Sequence, residues 1–178
     1  MAAFEPESEL ERRLAEDSTL AEGLAWGEPR SGHPEGNVGA HVRTLLETID
    51  GWGEQEPRRS ELRFLAIVHD ALKYRVRGWL PRTGENHHAM RARRLAERYT
   101  SDERLLAAVE LHDRPYAIWR YTRRGTSRER RRLDELVRRL PDLPLFMRFV
   151  ELDGSTEGKN PEPIDWLRGE LRRRGALD

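Results

Sequence analysis

The residues with the clearest capacity for chemistry are His69 and Asp70, which are adjacent at the end of the apolar segment FLAIVHDALK. An ionised carboxylate that enters an apolar interior without a partner is strongly destabilising, so buried charges are normally paired or bound to metal. Imidazole and carboxylate groups together suit borderline divalent metals. A lone His–Asp pair is nevertheless more often structural than catalytic, so the dipeptide leaves both interpretations open.

Other side chains favour the metal interpretation. Three further histidines, His41, His88 and His112, each lie at or near the end of an otherwise apolar helical face. Asp153 follows the apolar run LFMRFVEL. Because the sequence contains no cysteine, thiolate sites and disulfides are excluded, and any metal must be held by His, Asp or Glu.

The elements that must position these residues are predicted to be helices. Apolar residues recur with helical spacing, and no stretch alternates convincingly with the period of two that a strand shows. The pattern predicts an all-α protein with about seven to nine helices. Thr100 and Glu103 match a capping box that would begin one of them. The expected helices cover about 7–25, 38–49, 60–74, 87–99, 100–112, a short segment from 115, 128–140, 143–152 and 164–174.

The helix expected over 60–74 is apolar around nearly its whole circumference, which predicts a central, buried position. It would carry His69, Asp70 and Lys73 in its last turns. His69 and Lys73 would then lie one turn apart on the same face. We expect a metal at this edge to take His69 and Asp70, which leaves Lys73 free to face a substrate oxygen.

Length and composition predict one domain of 178 residues, with an N-terminal helix in 1–26, a core in 33–154 and a C-terminal helix in 161–174. Thirty-two basic residues balance thirty-two acidic ones, so the whole chain has no net attraction to nucleic acid or anionic lipid. No segment approaches the roughly 18 apolar residues of a membrane span, and the first residues lack an apolar signal segment. The sequence therefore predicts a cytoplasmic protein with no membrane association.

The ordered set His41, His69–Asp70, His88, His112 and Asp153 resembles the HD-domain metal-dependent phosphohydrolases. The segment HPEGNVGAH is also similar to the opening of the HD domain of some bacterial tRNA nucleotidyltransferases. The resemblance implies a single compact helical HD-type domain that binds one or two divalent ions, among Mn, Fe, Ni, Co, Zn or Mg. It implies a first metal site formed by His41, His69, Asp70 and Asp153, and extra ligands His88 and His112 in two-metal members.

Within this resemblance the choice between two neighbouring histidines stays open, although one is preferred. The family has a small residue four places after the ligand, and Ala92 occupies that position relative to His88. The same position relative to His87 is Arg91. Asp113, next to His112, is a candidate to orient that histidine.

The resemblance implies hydrolysis of a nucleotide or related small phosphate ester by a metal-activated hydroxide, with Asp70 and Lys73 as catalytic residues. Two alternatives remain: a non-catalytic metal-containing binding or sensing module, and a phosphatase or cyclic phosphodiesterase that acts on RNA ends. Guanidinium groups match the geometry of phosphate oxygens, so the arginines that follow the His–Asp motif are candidate substrate contacts. His33, which precedes the first candidate ligand His41, is a further candidate. The candidate substrate-binding residues are Lys73, Arg75, Arg77 and His33, with Arg82 as a further arginine in the same loop.

Two basic runs, 120–124 and 128–139, lie close to the aromatic residues Trp119 and Tyr121. Basic residues interleaved with aromatic ones are typical of single-stranded nucleic-acid binding. Glu129, Asp134 and Glu135 interrupt the second run, however, which favours an exposed helix with internal salt bridges. The sequence leaves nucleic acid open as a partner but does not favour it, and it does not reveal the oligomeric state.

Overall fold

The computed structural model describes residues 3–29, 36–122 and 128–177. Throughout these residues the only regular elements are helices, which confirms the all-α class. The described parts contain ten α-helices, more than the seven to nine expected, and short 3₁₀ turns at Lys73–Arg75 and Gly84–Asn86. The helices are α1 (Glu9–Ala15), α2 (Ser18–Ala25), α3 (Val38–Trp52), α4 (Arg58–Val68), α5 (His88–Ala96), α6 (Glu103–Leu111), α7 (Arg114–Thr122), α8 (Arg128–Arg139), α9 (Leu143–Gly154) and α10 (Glu162–Arg173).

The N-terminal helix expected over 7–25 is two helices, because Asp17 begins a new one. Its carboxylate accepts hydrogen bonds from the backbone N–H groups of Thr19 (2.8 Å) and Leu20 (3.2 Å). A side chain that satisfies the free N–H groups of a first turn stabilises a helix start at that residue. The apolar periodicity continues across this cap, so periodicity alone did not reveal the break.

The start of α6 also differs slightly from the sequence prediction. The N-cap of α6 is Asp102, whose side chain accepts from the N–H of Arg104 at 2.9 Å. The hydroxyl of Thr100 instead accepts from the N–H of Asp102 at 3.0 Å. The capping box expected from Thr100 and Glu103 is therefore wrong, and Asp102 takes the capping role.

The central helix α4 ends at Val68, earlier than expected, with His69 as its C-cap. The chain then turns, so Asp70 lies before the 3₁₀ turn that begins at Lys73. The segment between α4 and this 3₁₀ turn packs tightly against α2. A Cβ atom on Gly23 would lie 1.7 Å from the carbonyl oxygen of Ala71, so only glycine permits this approach.

The core surrounds α4, as its apolar circumference predicted. Every residue from Leu62 to Leu72 is buried, and α4 contacts α3, α5, α6 and α9. The last of these helices contributes Phe146 and Phe149, both fully buried. On one side α7 packs against α8 and α10. None of the described helices combines the length and apolar character that crossing a lipid bilayer requires.

Candidate metal centre

Six polar side chains converge where five helices end or begin. His41 lies in the first turns of α3, and His69 and Asp70 follow the end of α4. All six residues predicted as ligands from the sequence lie in this one cluster, termed the metal centre below. The remaining members are His88 at the start of α5, His112 after α6 and Asp153 near the end of α9.

One half of the metal centre is formed by His41, His69 and Asp70, whose ligand atoms all lie within 4.8 Å of one another. The Nε2 atom of His69 is 3.3 Å from Oδ2 of Asp70 and 3.5 Å from Oδ1 of Asp153. The same Asp153 oxygen is 3.0 Å from Nε2 of His41. We refer to His41, His69, Asp70 and Asp153 as the first ligand group.

The other half is formed by Asp70, His88 and His112, whose ligand atoms also lie within 4.8 Å of one another. The Nε2 atoms of both histidines are 3.5 Å from Oδ1 of Asp70 and 3.4 Å from each other. We refer to these three residues as the second ligand group. Asp70 therefore presents Oδ2 to the first group and Oδ1 to the second, the arrangement of a carboxylate that bridges two ions.

Backbone carbonyls fix the orientation of two imidazole rings. Nδ1 of His69 is 3.0 Å from the carbonyl oxygen of Ala66, and Nδ1 of His112 is 2.8 Å from that of Val109. A carbonyl that accepts Nδ1–H directs Nε2 towards the metal position, as at many metal sites. The candidate role of Asp113 in orienting His112 is taken by the helix's own carbonyl, that of Val109.

Two of the ligand atoms that face the metal centre, Nε2 of His69 and Oδ1 of Asp70, are buried and have no hydrogen-bond partner within the described part of the chain. Buried polar atoms are nearly always satisfied, and each exception calls for an explanation. Both atoms face the other ligand atoms of their groups. A divalent cation would satisfy both, so the donor set fits imidazole and carboxylate coordination of a borderline metal.

The histidines His88 and His69 have different electrostatic environments, which shift their pKa values in opposite directions. Burial lowers the pKa of His88 to about 3, against the opposing charge of Asp70, so this ring is neutral and available as a ligand. Burial also disfavours the charged form of His69, but the charges of Asp70 and Asp153 outweigh it and raise the pKa to about 9. The first ligand group thus attracts positive charge, whether from a proton or from a metal ion.

Two lysines compensate the carboxylates of the metal centre. Nζ of Lys73 donates to Oδ2 of Asp70, and Nζ of Lys159 donates to Oδ1 of Asp153 at 2.6 Å and to its carbonyl oxygen at 2.7 Å. Burial opposes ionisation of the two carboxyls, yet the nearby positive charges hold both pKa values well below the usual range. Lys73 is therefore paired with Asp70, which corrects the expectation that it is free to face substrate.

Lys159 was missed by the motif-based sequence analysis, although one signal was present. The chain has thirty arginines but only two lysines, Lys73 and Lys159, and both are bound to carboxylates of the metal centre. A lysine ammonium is a compact charge on a flexible stem, whereas an arginine carries a broad planar fork. The rarity of lysine in a sequence so rich in arginine therefore marked these two positions.

The family model for the HD domain matches residues 36–140, more than half of the chain. The chain belongs to the HD domain family. Five of the six candidate ligands lie inside the matched segment, and Asp153 lies beyond its end. HD domains generally are divalent-metal phosphohydrolases. No curated protein and no solved structure shows significant similarity to the chain, and the likeness to tRNA nucleotidyltransferases stays a prediction.

The HD domain distinguishes its two neighbouring histidines by their contacts. Nε2 of His88 faces Asp70, whereas Nε2 of His87 lies 3.2 Å from Oδ2 of Asp113. The Nδ1 atom of His87 also accepts from the N–H of Ala89 at 3.3 Å, so this ring caps α5. These contacts support His88 as the ligand.

We expect His88→Ala to lower the metal content by about one ion per chain while the first ligand group keeps its ion, since the groups share only Asp70. Elemental analysis after metal loading and gel filtration measures this. His87→Ala is the matched control and should keep the parental content. The opposite pattern, with loss in His87→Ala alone, would assign the second ion to His87 and Asp113.

A cavity of about 420 Å³ opens onto the metal centre. A volume in this range is typical of small-molecule sites. The side opposite the ligands comes from α7, α10 and the loop before α10. Its lining includes Asp70, Lys73, His88, His112, Asp113, Tyr116, Asp153, Lys159, Asn160 and Ile164.

A second cavity of about 410 Å³ reaches the metal centre from the side of α2, lined by Trp26, Lys73, Val76, Arg82 and His88. Lys73 and His88 border both cavities. A substrate on either side would therefore meet the same two residues. Arg82 adds a guanidinium group at this entrance.

The other predicted phosphate contacts are not brought into these cavities. Nε of Arg75 donates to the hydroxyl of Tyr74 at 2.8 Å, and its guanidinium lies 3.8 Å from Glu22. Arg77 lines neither cavity, and the side chain of Asn86 holds its backbone N–H and carbonyl. His33 lies outside the described residues.

Proposed function

We propose that the chain is a metal-dependent phosphohydrolase that acts on a nucleotide or related small phosphate ester. One observation carries the proposal: Asp70 presents one oxygen to each of two His-containing ligand groups at the base of an open cavity. Membership of the HD domain family supports the same reaction class. Six of the proposed site residues act as ligands: His41, His69, Asp70, His88, His112 and Asp153.

The residues of the chain hold the ions and surround the phosphoryl group. One or two divalent ions held by these ligands would lower the pKa of a water molecule and polarise phosphoryl oxygens. Asp70 fixes the spacing of the two positions, and the carbonyl-bound rings of His69 and His112 keep their Nε2 atoms directed inwards. Lys73 and Lys159 border the 420 Å³ cavity and supply positive charge towards a phosphate within it.

The second cavity suggests where the rest of a nucleotide lies. Trp26 offers an indole ring, which is 41% exposed, and Arg82 offers a guanidinium group at the same entrance. A base that stacks on the indole places its phosphate towards Lys73 and His88, which border both cavities. Arg82, rather than Arg75 or Arg77, is therefore the arginine that we propose as a substrate contact.

Turnover by the metal-loaded protein tests this proposal. Metal-free protein is loaded separately with Mn, Fe, Co, Ni, Zn or Mg and assayed for phosphate release. The substrates are nucleoside 5′- and 3′-monophosphates, 2′,3′-cyclic monophosphates and p-nitrophenyl phosphate. We expect metal-dependent hydrolysis of at least one class, abolished by a chelator and restored by the metal.

The variant His69→Ala serves as a catalytic-site control within the same assay. It should lose metal and turnover together, because His69 is a proposed ligand with no exposed surface. A parent protein that binds two ions tightly and hydrolyses none of the substrates under any metal would contradict the enzyme proposal. That result would favour the metal-containing binding or sensing module.

A further inference from the structure

Positive charge is concentrated in one part of this neutral chain. Residues 114–139, termed the basic segment, contain ten arginines and only three acidic residues. Because the whole chain has no net charge, the remainder is acidic. A local excess of arginine on adjacent helices is the electrostatic footprint of a polyanion site.

The arginines of the basic segment differ from those elsewhere in their partners. Outside it, arginines such as Arg59, Arg93 and Arg168 lie within 3.1 Å of carboxylate oxygens. Among the described residues of the basic segment, Arg139 alone forms an ion pair with a described carboxylate, that of Glu110.

The acids of α8 do not neutralise its arginines. Asp134 pairs with Arg174, which lies outside the basic segment. Arg132 lies over the ring of Tyr121, 4.3 Å from its centroid. The internally salt-bridged helix expected from the sequence is thus not seen in the described residues. Apart from Arg139, which pairs with Glu110, the arginines of α8 have no described carboxylate partner.

A cavity of about 320 Å³, termed the arginine cavity below, lies between α7 and α8. Four guanidinium groups line it, those of Arg114, Arg131, Arg132 and Arg139, together with Glu135. Guanidinium groups bind phosphate oxygens through paired, parallel hydrogen bonds. The cavity therefore has the chemistry of a phosphate site, separate from the metal centre.

Helix α7 also borders the cavity of about 420 Å³ that opens onto the metal centre, termed the metal cavity below. Tyr116 lines that cavity and is 53% exposed. The ring of Trp119 lies 5.9 Å from that of Tyr116 at an angle of 33°, and the guanidinium of Arg120 lies 6.0 Å from the Tyr116 ring centroid. Exposed aromatic rings beside arginines are stacking platforms for unpaired bases.

We propose that α7 and α8 bind a single-stranded oligonucleotide whose phosphate-bearing end enters the metal cavity. The backbone phosphates occupy the arginine cavity, and a base stacks on Tyr116 at the wall of the metal cavity. Both cavities border the same helix, α7, and the diameter of a helix, about 10 Å, is a length that a few nucleotides span. A duplex fits less well, because its bases are already stacked and its edges do not reach an aromatic platform.

The inference deepens the proposed function by naming its substrate class, and binding can be tested without turnover. Metal-free protein is titrated into fluorescent 12-nucleotide RNA and DNA strands and a duplex of the same sequence, and anisotropy is measured at several salt concentrations. We expect micromolar affinity for the single strands, which falls steeply with salt. The RNA and DNA arms show which sugar is preferred.

The double variant Arg114→Gln/Arg131→Gln removes two exposed charges of the arginine cavity. It should bind single strands at least tenfold more weakly, with a salt slope smaller by about two, since each phosphate contact contributes about one unit. Arg12→Gln/Arg13→Gln on α1 is the matched control and should bind like the parent. Thermal unfolding and metal content verify that each variant is folded.

Three results would overturn the inference. They are no binding of single strands by the parent, equal loss of binding in the α1 control, and tighter binding to the duplex or to phosphatidylserine vesicles than to single strands. Each leaves the proposed function standing if mononucleotides are hydrolysed. Conversely, single-strand binding that depends on Arg114 and Arg131 supports the inference even when no metal restores turnover.

Discussion

Replacing Asp70 with asparagine is expected to weaken metal binding in both ligand groups at once and to lower phosphohydrolysis by about a thousandfold or more. Asparagine keeps the shape of the side chain but removes its charge, and one neutral oxygen cannot bridge two ions. Oδ2 faces His69 at 3.3 Å, and Oδ1 faces His88 and His112 at 3.5 Å. Calorimetric metal titration and phosphate release on the same preparations measure the two effects.

Variants that affect only one ligand group show whether the loss of both ions is specific to Asp70. His41→Ala removes a ligand of the first group only, and His88→Ala removes one of the second group only. Asp165→Asn, exposed on α10, controls for the loss of a carboxylate and should leave metal affinity unchanged. If Asp70→Asn retained two tightly bound ions, Asp70 would not bridge them.

The candidate ligands drew attention in the sequence because each lies at or near a helix end. An apolar face fixes where a helix packs, and a histidine or aspartate at the end of that face must lie near the core boundary. This reasoning singled out His41, His69, His88, His112 and Asp153 as candidates, and the resemblance to the HD family ordered them as ligands. The structure brings their side chains together.

The details after His69 were harder to predict, because the apolar pattern continues past the end of α4. Ala71 and Leu72 are buried, as they would be in a longer helix, but they pack in a turn against α2. The close contact of Gly23 with Ala71 is a tertiary constraint that no local periodicity contains. The sequence therefore did not reveal that Lys73, which borders both cavities, is paired with Asp70.

The roles of the arginines were equally inaccessible from local sequence. Arg75 and Arg77 follow the His–Asp motif closely, yet neither lines the two cavities, and Arg75 instead contacts Tyr74. Arg82 reaches the entrance only through the fold of the following loop. In α8, the spacing of acidic and basic residues suggested ion pairs within the helix. In the structure Asp134 of α8 pairs instead with Arg174 at the end of α10.

The pairing of Lys73 with Asp70 leads to an expectation that a simple catalytic role does not. Lys73→Met keeps much of the stem volume and removes the charge that competes with metal for Oδ2 of Asp70. Without metal, the buried carboxylate then has no counter-charge from Lys73, and the protein should lose roughly 3 kcal/mol of stability. Metal affinity should rise, because the ion no longer displaces an ammonium, and added metal should restore stability.

Turnover should nevertheless fall by about tenfold to a thousandfold, the scale expected when one electrostatic stabiliser of a transition state is removed. Thermal unfolding with and without metal, metal titration and phosphate release together separate these effects. Lys159→Met is the matched comparison, since Lys159 compensates Asp153 instead of Asp70 and should act on the first ligand group alone. Weaker metal binding in Lys73→Met would show that the ammonium supports the ion rather than competing with it, and full turnover would remove Lys73 from catalysis.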